Sequence, residues 1–374
     1  MSTCQSCGAV ADAGVGRCHS CGGVCLRREP WQADARLAPS TTPLLTSRIP
    51  YLHGAKLKVE GAQPSGSFKD RVMAVLVAEA VAAGATGAVV ASSGNAAVAA
   101  ASHCARAGLP LLVLVPERVP APIVSLVALR GATMIRVGDG PAAVHDLAHR
   151  LSNEFGLPNL ASTFGASGCE WACRGIGHEL FGQLGDAPVS AIAAAVSVGP
   201  VLLGAATGYQ EAGGSPVRMI AGQAAGCSPI ARAFADGGSV QPWADEVDTK
   251  ATSIADRLTG YAPEATFFLE RVLASGGYVG AAADRALAAI RSDLATYDGL
   301  DVELSSCAAI AALVQSGQAG PDAVAILTGA GIRETLAPGA PAAASGSLAD
   351  FCSMAQLGAD SEERVTQWIA EYRS

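Results

Sequence analysis

The chain has 374 residues, a formal net charge of -8 and an isoelectric point near 5.3, with 50% hydrophobic, 16% charged and 5% aromatic residues. That length suffices for two or three domains with substantial cores. An acidic chain without a basic stripe has nothing with which to neutralise phosphates, so no nucleic-acid partner is expected, and the abundance of Ala, Val, Leu and Gly suits close helix-on-sheet packing in an α/β protein.

The N-terminus, MSTCQSCG, lacks the basic region and apolar core of a secretory signal, so export is not expected. The runs CQSCG and CHSCGG place Cys4, Cys7, Cys18 and Cys21 in two Cys-x-x-Cys-Gly knuckles. Two thiolates two residues apart grip one tetrahedral ion, and the following glycine lets the turn point amides at sulfur. The spacing predicts a zinc ribbon whose metal is structural, since four thiolates leave no open coordination position. Disulfides or a redox pair are the alternatives, with Cys25 a bystander or stand-in ligand. Eleven cysteines, an odd number, do not form a paired disulfide framework and suit a reducing cytosol, so a cytoplasmic location is expected.

From Trp31 to Pro50 the Pro-, Ser- and Thr-rich segment reads as an extended lead-in. A βα rhythm follows. The strands are LKVEG, GAVVAS, LLVLVP, TMIRVG, SAIAAAVSV, VRMIAGQ and AVAILTG, and helical stretches are predicted over 95–107, 140–155, 170–184, 280–296 and 303–316. Strands alternating with helices of this length imply right-handed crossovers and a mostly parallel sheet covered on both faces. Sites in such sheets gather at the carboxyl ends of strands. The apolar run SAIAAAVSVGPVLLGAATGY is broken by Ser, Gly and Pro and reads as a buried strand followed by a helix, so no membrane partner is expected. From Ala337 a Pro/Ala/Gly/Ser-rich tether leads to a terminal helix ending EERVTQWIAEYRS.

Within this rhythm, QPSGSFKDRVM sets Lys69, Asp70 and Arg71 at the mouth of an apolar helical run. Ser67, three residues before Asp70, reads as one half of a capping box. Lys69 then falls in the first helical turn, where the positive end of the helix dipole disfavours an ammonium. A lysine that works as a neutral amine or an imine suits that place, and a capped helix with an exposed lysine is the alternative. After GAVVA, Ser92, Ser93, Gly94 and Asn95 offer hydroxyls, an amide and free N–H groups at a helix start, a receptor for a carboxylate or oxyanion, unless Asn95 is only a helix cap. After SAIAAA, the loop with Ser197, Val198, Gly199, Pro200 and Val201 could deliver amides to a phosphate, although proline has no N–H to give. After AVAIL, Thr328 sits at a strand end beside glycines that permit close backbone approach.

Taken in order, the cysteine knuckles, TTPLL, LKVEGAQPSGSFKDR, SSGNAA, GIGHELFGQLG, TGYQE, ELSSCAAIAALV and LTGAG resemble the pyridoxal-phosphate (PLP) enzymes of the tryptophan-synthase-β type, and within them the threonine synthase family. The resemblance covers nearly the whole chain. It implies two three-layer αβα domains with mostly parallel sheets and a small N-terminal zinc ribbon. The expected division is 1–28 for the ribbon, 29–72 with 165–345 for a large PLP-binding domain, 73–164 for a small domain and 346–374 for a tail and helix.

Carried over residue by residue, the resemblance makes Lys69 the covalent anchor of PLP and Asn95 the partner of its 3′-oxygen. Ser92, Ser93, Gly94, Asn95 and Ala96 would surround the substrate carboxylate, Ser197, Val198, Gly199 and Val201 the cofactor phosphate, and Cys4, Cys7, Cys18 and Cys21 a structural Zn2+. Thr328 would face the pyridine nitrogen, where a neutral hydroxyl keeps the ring a weaker electron sink, suited to elimination and replacement at the β- and γ-carbons. The implied reaction converts O-phospho-L-homoserine and water to L-threonine and phosphate in a cytoplasmic homodimer. Arg71, Arg174 and Lys250 are candidates for the substrate phosphate.

The sequence departs from the family at the glycine-poor phosphate loop, at Val72 in place of glycine, and at Trp171. Two alternatives stay open for that reason. One is another PLP-dependent β-replacement or elimination enzyme, resembling cysteate synthase, a serine or threonine dehydratase, or an enzyme of specialised metabolism. The other is a non-catalytic protein that binds a metabolite or partner.

Overall fold

The computed structural model describes residues 1–12, 16–27, 37–138, 141–160, 163–164, 166–335, 347–358 and 360–373. In chain order, the ribbon strands β1 (Ser2–Cys4), β2 (Val10–Ala11) and β3 (Cys25–Arg27) are followed by β4 (Leu44–Thr46), β5 (Lys56–Val59), α1 (Lys69–Ala82), β6 (Ala88–Ala91), α2 (Asn95–Ala107), β7 (Leu111–Val115), α3 (Ala121–Ala128), β8 (Thr133–Arg136) and α4 (Pro141–Phe155). Then come α5 (Gly168–Leu184), β9 (Ala191–Ala195), α6 (Pro200–Glu211), β10 (Arg218–Ala224), α7 (Pro229–Asp236), α8 (Ala262–Ala274), β11 (Tyr278–Ala282), α9 (Asp284–Asp293), α10 (Cys307–Gln315), β12 (Ala323–Leu327), α11 (Ile332–Thr335), α12 (Leu348–Met354) and α13 (Ser361–Arg373). None of these helices is long and apolar enough to cross a membrane.

The chain divides into two compact units, residues 1–30, 40–68 and 163–334 in one and 31–39, 69–162 and 335–374 in the other. The first holds a six-stranded sheet in the order β11-β10-β9-β12-β5-β4, parallel throughout except for β4, which runs antiparallel to β5. Every residue of β9 and of β12 is buried, as parallel strands covered by helices on both faces require. Leu57, Ile220 and Leu327 meet Ile310 and Leu313 of α10 in its core. The scarcity of aromatics has a structural counterpart where α5 crosses α6. A Cβ on Gly177, Gly204 or Gly208 would lie 2.2, 2.4 or 2.0 Å from a carbonyl oxygen of the facing helix, so these helices pack backbone to backbone.

The second unit holds the parallel sheet β6-β7-β8. Val89, Leu112 and Leu114 pack with Val144, Leu147 and Leu151 of α4, and Phe351 and Ile369 of the two C-terminal helices complete that core. A capping box between Ser347 and Asp350 starts α12.

Three expectations change. The helix predicted over 280–296 begins at Asp284, because Tyr278–Ala282 forms the edge strand β11; its Gly and Ala residues carry no β-branched signature. Within the extended lead-in, Leu44–Thr46 form the short strand β4. The capping box expected at Ser67 is absent: its hydroxyl is buried without any hydrogen-bond partner among the described residues, and α1 starts at Lys69. The tether expected from Ala337 lies outside the described residues as far as residue 346.

Candidate active site

In the first unit β5, β12 and β9 are adjacent and parallel, so the residues following them emerge at one end of the sheet. After β9 the chain bends through Ser197 and Val198 and enters α6 at Pro200, with Gly199 as the N-cap at a left-handed φ of 116°. That conformation and the ring of Phe268, 2.3 Å from where a Cβ would stand, restrict position 199 to glycine. The main-chain N–H groups of Ser197, Val198, Gly199, Val201 and Leu202 meet no protein acceptor among the described residues. They form a cradle of unspent donors at the positive end of α6.

After β12, the Thr328 carbonyl accepts from Phe68 N at 3.0 Å, Gly66 O accepts from Ala330 N at 2.9 Å, and Gly329 O accepts from Glu303 N at 3.0 Å. These bonds pin the strand end. The Thr328 side chain, 6% exposed, has its Oγ1 3.1 Å from Ser306 Oγ, which also accepts from Gly329 N at 3.1 Å. Close by in sequence, the buried hydroxyl of Ser305, like that of Ser67, has no hydrogen-bond partner among the described residues.

In the second unit Lys69 is the half-buried first residue of α1, as the sequence predicts. Next to it, Asp70 Oδ1 lies 3.0 Å from His103 Nε2 of α2, with both side chains buried. Arg71 and Val72 are buried too. At the other helix start, Gly94 is the N-cap of α2 and Asn95 is the first helical residue. Ser92 Oγ accepts from Gly94 N at 3.3 Å, Ser93 is half-buried, and Ala96 is buried. Lys69 and the Ser92–Ala96 loop thus open two helices that the Asp70–His103 bond ties together.

In the ribbon, Cys4, Cys7, Cys18 and Cys21 bring their sulfurs within 4.8 Å of one another. Main-chain N–H groups of Cys7 and Ser6 point at Cys4 Sγ from 3.5 and 3.4 Å, and the Cys7 bond first, against desolvation, pulls that thiol down to about 6. Such donors around a sulfur favour the thiolate a metal needs. Cys25 stands outside the cluster, opposite Cys4 on β3, with its thiol pushed up to about 11 by burial. The ribbon is fastened to its unit by Arg17, whose Nε donates to Glu264 Oε1 at 2.9 Å and Nη2 to Gly260 O at 2.7 Å.

One candidate for the substrate phosphate is engaged elsewhere. Arg174 on α5 donates to Glu170 Oε2 at 2.8 Å, to Glu211 Oε1 at 2.6 Å and to Arg27 O at 3.1 Å. Burial works against its charge, yet the two carboxylates more than restore it and hold the guanidinium above its ordinary value. Trp171 lies beneath the guanidinium of Arg27, 5.7 Å from ring centroid to Cζ, and so belongs to the ribbon's seat. Lys250 is exposed, its main-chain N–H donating to Asp284 Oδ2 at 2.7 Å. Ser306 and His103 were not singled out from the sequence, because their partners are 22 and 33 residues away.

Residues 36–329 match the family described as "Pyridoxal-phosphate dependent enzyme". The chain is 31% identical over 288 residues to the threonine synthase of Methanosarcina acetivorans, covering 73% of this chain and 69% of that one. It is 28% identical to the threonine synthase of Halalkalibacterium halodurans over 75% of this chain and 78% of that one. Among solved structures it is similar to processed threonine deaminase isoform 2 from Solanum lycopersicum, with a TM-score of 0.68 and 21% identity over 87% and 86% of the two chains. A fungal L-serine ammonia-lyase from Rhizomucor miehei gives 0.67 and 23% over 85% and 98%. The chain belongs to the family of pyridoxal-phosphate-dependent enzymes, as a PLP-dependent lyase with their α/β fold.

The residues present fit that cofactor. The donor cradle after β9, shaped by the left-handed glycine at 199, suits a phosphate dianion, and the hydroxyl of Thr328 at the neighbouring strand end has a single protein partner among the described residues.

Proposed function

We propose that the chain is a lyase of the threonine synthase type, converting O-phospho-L-homoserine and water to L-threonine and phosphate. The observation carrying this reading is the pairing, at one end of one parallel sheet, of the N–H cradle after β9 with the Thr328 hydroxyl after β12. The similarity to threonine synthases supports the substrate. When bound, PLP supplies an electron sink at the substrate's α-carbon, which lets groups leave from and add to the carbons beyond.

In this reading Lys69 anchors the cofactor and carries protons at Cα and Cβ, its place in the first turn of α1 favouring an uncharged amine. Asn95 partners the cofactor's 3′-oxygen. Ser92, Ser93, Gly94, Asn95 and Ala96 hold the substrate carboxylate with hydroxyl and amide donors at the start of α2. Ser197, Val198, Gly199 and Val201 take the cofactor phosphate on main-chain N–H groups, and Thr328 meets the ring nitrogen. Cys4, Cys7, Cys18 and Cys21 hold a structural zinc, for which the four close sulfurs are the support. The enzyme works in the cytoplasm as a homodimer.

Borohydride reduction of the PLP-loaded protein followed by peptide mapping is expected to tag Lys69, and incubation with O-phosphohomoserine to release phosphate as threonine forms. A tag elsewhere removes the lysine assignment, and a loaded protein that forms neither product removes the substrate. A second reading, another β-replacement or elimination enzyme on this scaffold, is favoured by the commitment of Arg174 to Glu170 and Glu211 and by the donor missing at Pro200. Turnover of phosphoserine, serine or threonine, or of phosphoserine with sulfite, separates the two.

A further inference from the structure

We infer that Ser306 is a positioning residue that fixes the Thr328 hydroxyl as a hydrogen-bond donor and thereby keeps the pyridine nitrogen of the cofactor unprotonated. The inference rests on the reading of Thr328 as the partner of that nitrogen.

A hydroxyl has one proton to give and two lone pairs with which to accept. One lone pair of Ser306 Oγ is taken by Gly329 N–H at 3.1 Å. Its proton has two acceptors in reach, Thr328 Oγ1 at 3.1 Å and Gly329 O at 3.4 Å. The carbonyl is the more distant of the two, so the proton is better spent on Thr328. The reverse arrangement, with Thr328 donating to Ser306, leaves the completely buried Ser306 proton only the more distant carbonyl.

With Ser306 donating, Thr328 keeps its own proton, and no second protein acceptor for it exists among the described residues. A group facing Thr328 therefore meets a donor. A pyridine nitrogen with a free lone pair accepts that bond, whereas a protonated one presents a second donor. The geometry is held from the main chain as well: Phe68 N donates to Thr328 O at 3.0 Å and Glu303 N to Gly329 O at 3.0 Å, so the two hydroxyls cannot drift apart. Ser306 thus sets the charge of the ring from behind Thr328, and with it the bias towards elimination and replacement over chemistry that needs a strong electron sink.

The test uses holoenzyme loaded with PLP labelled with 15N in the ring, and reads the 15N resonance against pH in the wild type, Ser306→Ala, Ser306→Cys and Thr328→Val. The wild type is expected at the position of an unprotonated pyridine across neutral pH. Ser306→Ala frees the Thr328 hydroxyl to rotate and accept, so the resonance moves towards the protonated position. Ser306→Cys, which keeps the volume but donates weakly, moves it in the same direction and serves if the alanine variant does not fold. Unchanged resonances in both serine variants, alongside a shift in Thr328→Val, overturn the role of Ser306 while sparing the reading of Thr328. No shift in Thr328→Val removes that reading, and the inference with it.

Discussion

The ring of Phe268 occupies the volume that any side chain at Gly199 would need: a Cβ there would stand 2.3 Å from both Cγ and Cδ2. Because Gly199 also has a φ of 116°, Gly199→Ala combines a steric clash with a left-handed non-glycine backbone, each worth about 1–3 kcal/mol. The loop has to rearrange. PLP affinity, read by cofactor fluorescence titration, is expected to fall at least about tenfold, the equivalent of ~1.4 kcal/mol. Phe268→Ala in the same chain is expected to restore only part of it, since the backbone strain remains.

Metal analysis of the purified protein is expected to find one zinc per chain. Cys4→Ser and Cys18→Ser should lose it and Cys25→Ser retain it, because Cys25 lies outside the four-sulfur cluster. Chelation should lower Tm, since a bound ion would join the knuckle between β1 and β2 to the one that precedes β3. Zinc retained after either knuckle substitution would point to a different ligand set.

Asp70 and His103 hold α1 to α2 from positions that no water reaches. His103→Ala leaves the carboxylate short of a partner in a buried site, at an expected cost of about 2–4 kcal/mol. Thermal unfolding followed by circular dichroism should show a lower Tm with the native spectrum preserved at 20 °C. A change within experimental scatter would mean that the pair is energetically idle.

Burial pushes the thiols of Cys104 and Cys307 up to about 12, against an ordinary value of 9.0. A folded-state pKa above the unfolded one stabilises the native state below pH 9 and loses that contribution as pH rises through the folded value. Unfolded thiols ionise first. Each group should therefore remove about 1.4 kcal/mol of stability per pH unit above pH 9. Comparing Tm of the wild type and Cys104→Ala between pH 8 and 10.5 checks this: the variant should lose less over the interval.

The alternation of strands and helices was legible in the sequence because each period is local. The runs AVVA, LLVLV and AVAIL are strands within a residue or two of where apolar continuity puts them. Tyr278–Ala282 escaped because alanine and glycine serve strand and helix alike. At the site, Lys69, Asn95 and the knuckle cysteines stand where their spacing put them, at helix starts and in one sulfur cluster. The fates of Arg174, Trp171 and Ser67 were invisible, because each depends on what tertiary packing brings alongside: two carboxylates, an arginine of the ribbon, and, for the Ser67 hydroxyl, no hydrogen-bond partner among the described residues. Ser306 belongs to the same class, a residue whose meaning appears only once β12 and the turn at Leu304–Ser306 are neighbours.

The short strand β4 runs against the direction of the other five and terminates the large sheet beside β5. Three residues thus shield a ladder of amides that would otherwise invite a foreign strand. An N-terminal truncation that reached past Thr46 would bare the margin of Lys56–Val59, and the shortened chain would be prone to assemble edge to edge into insoluble polymer.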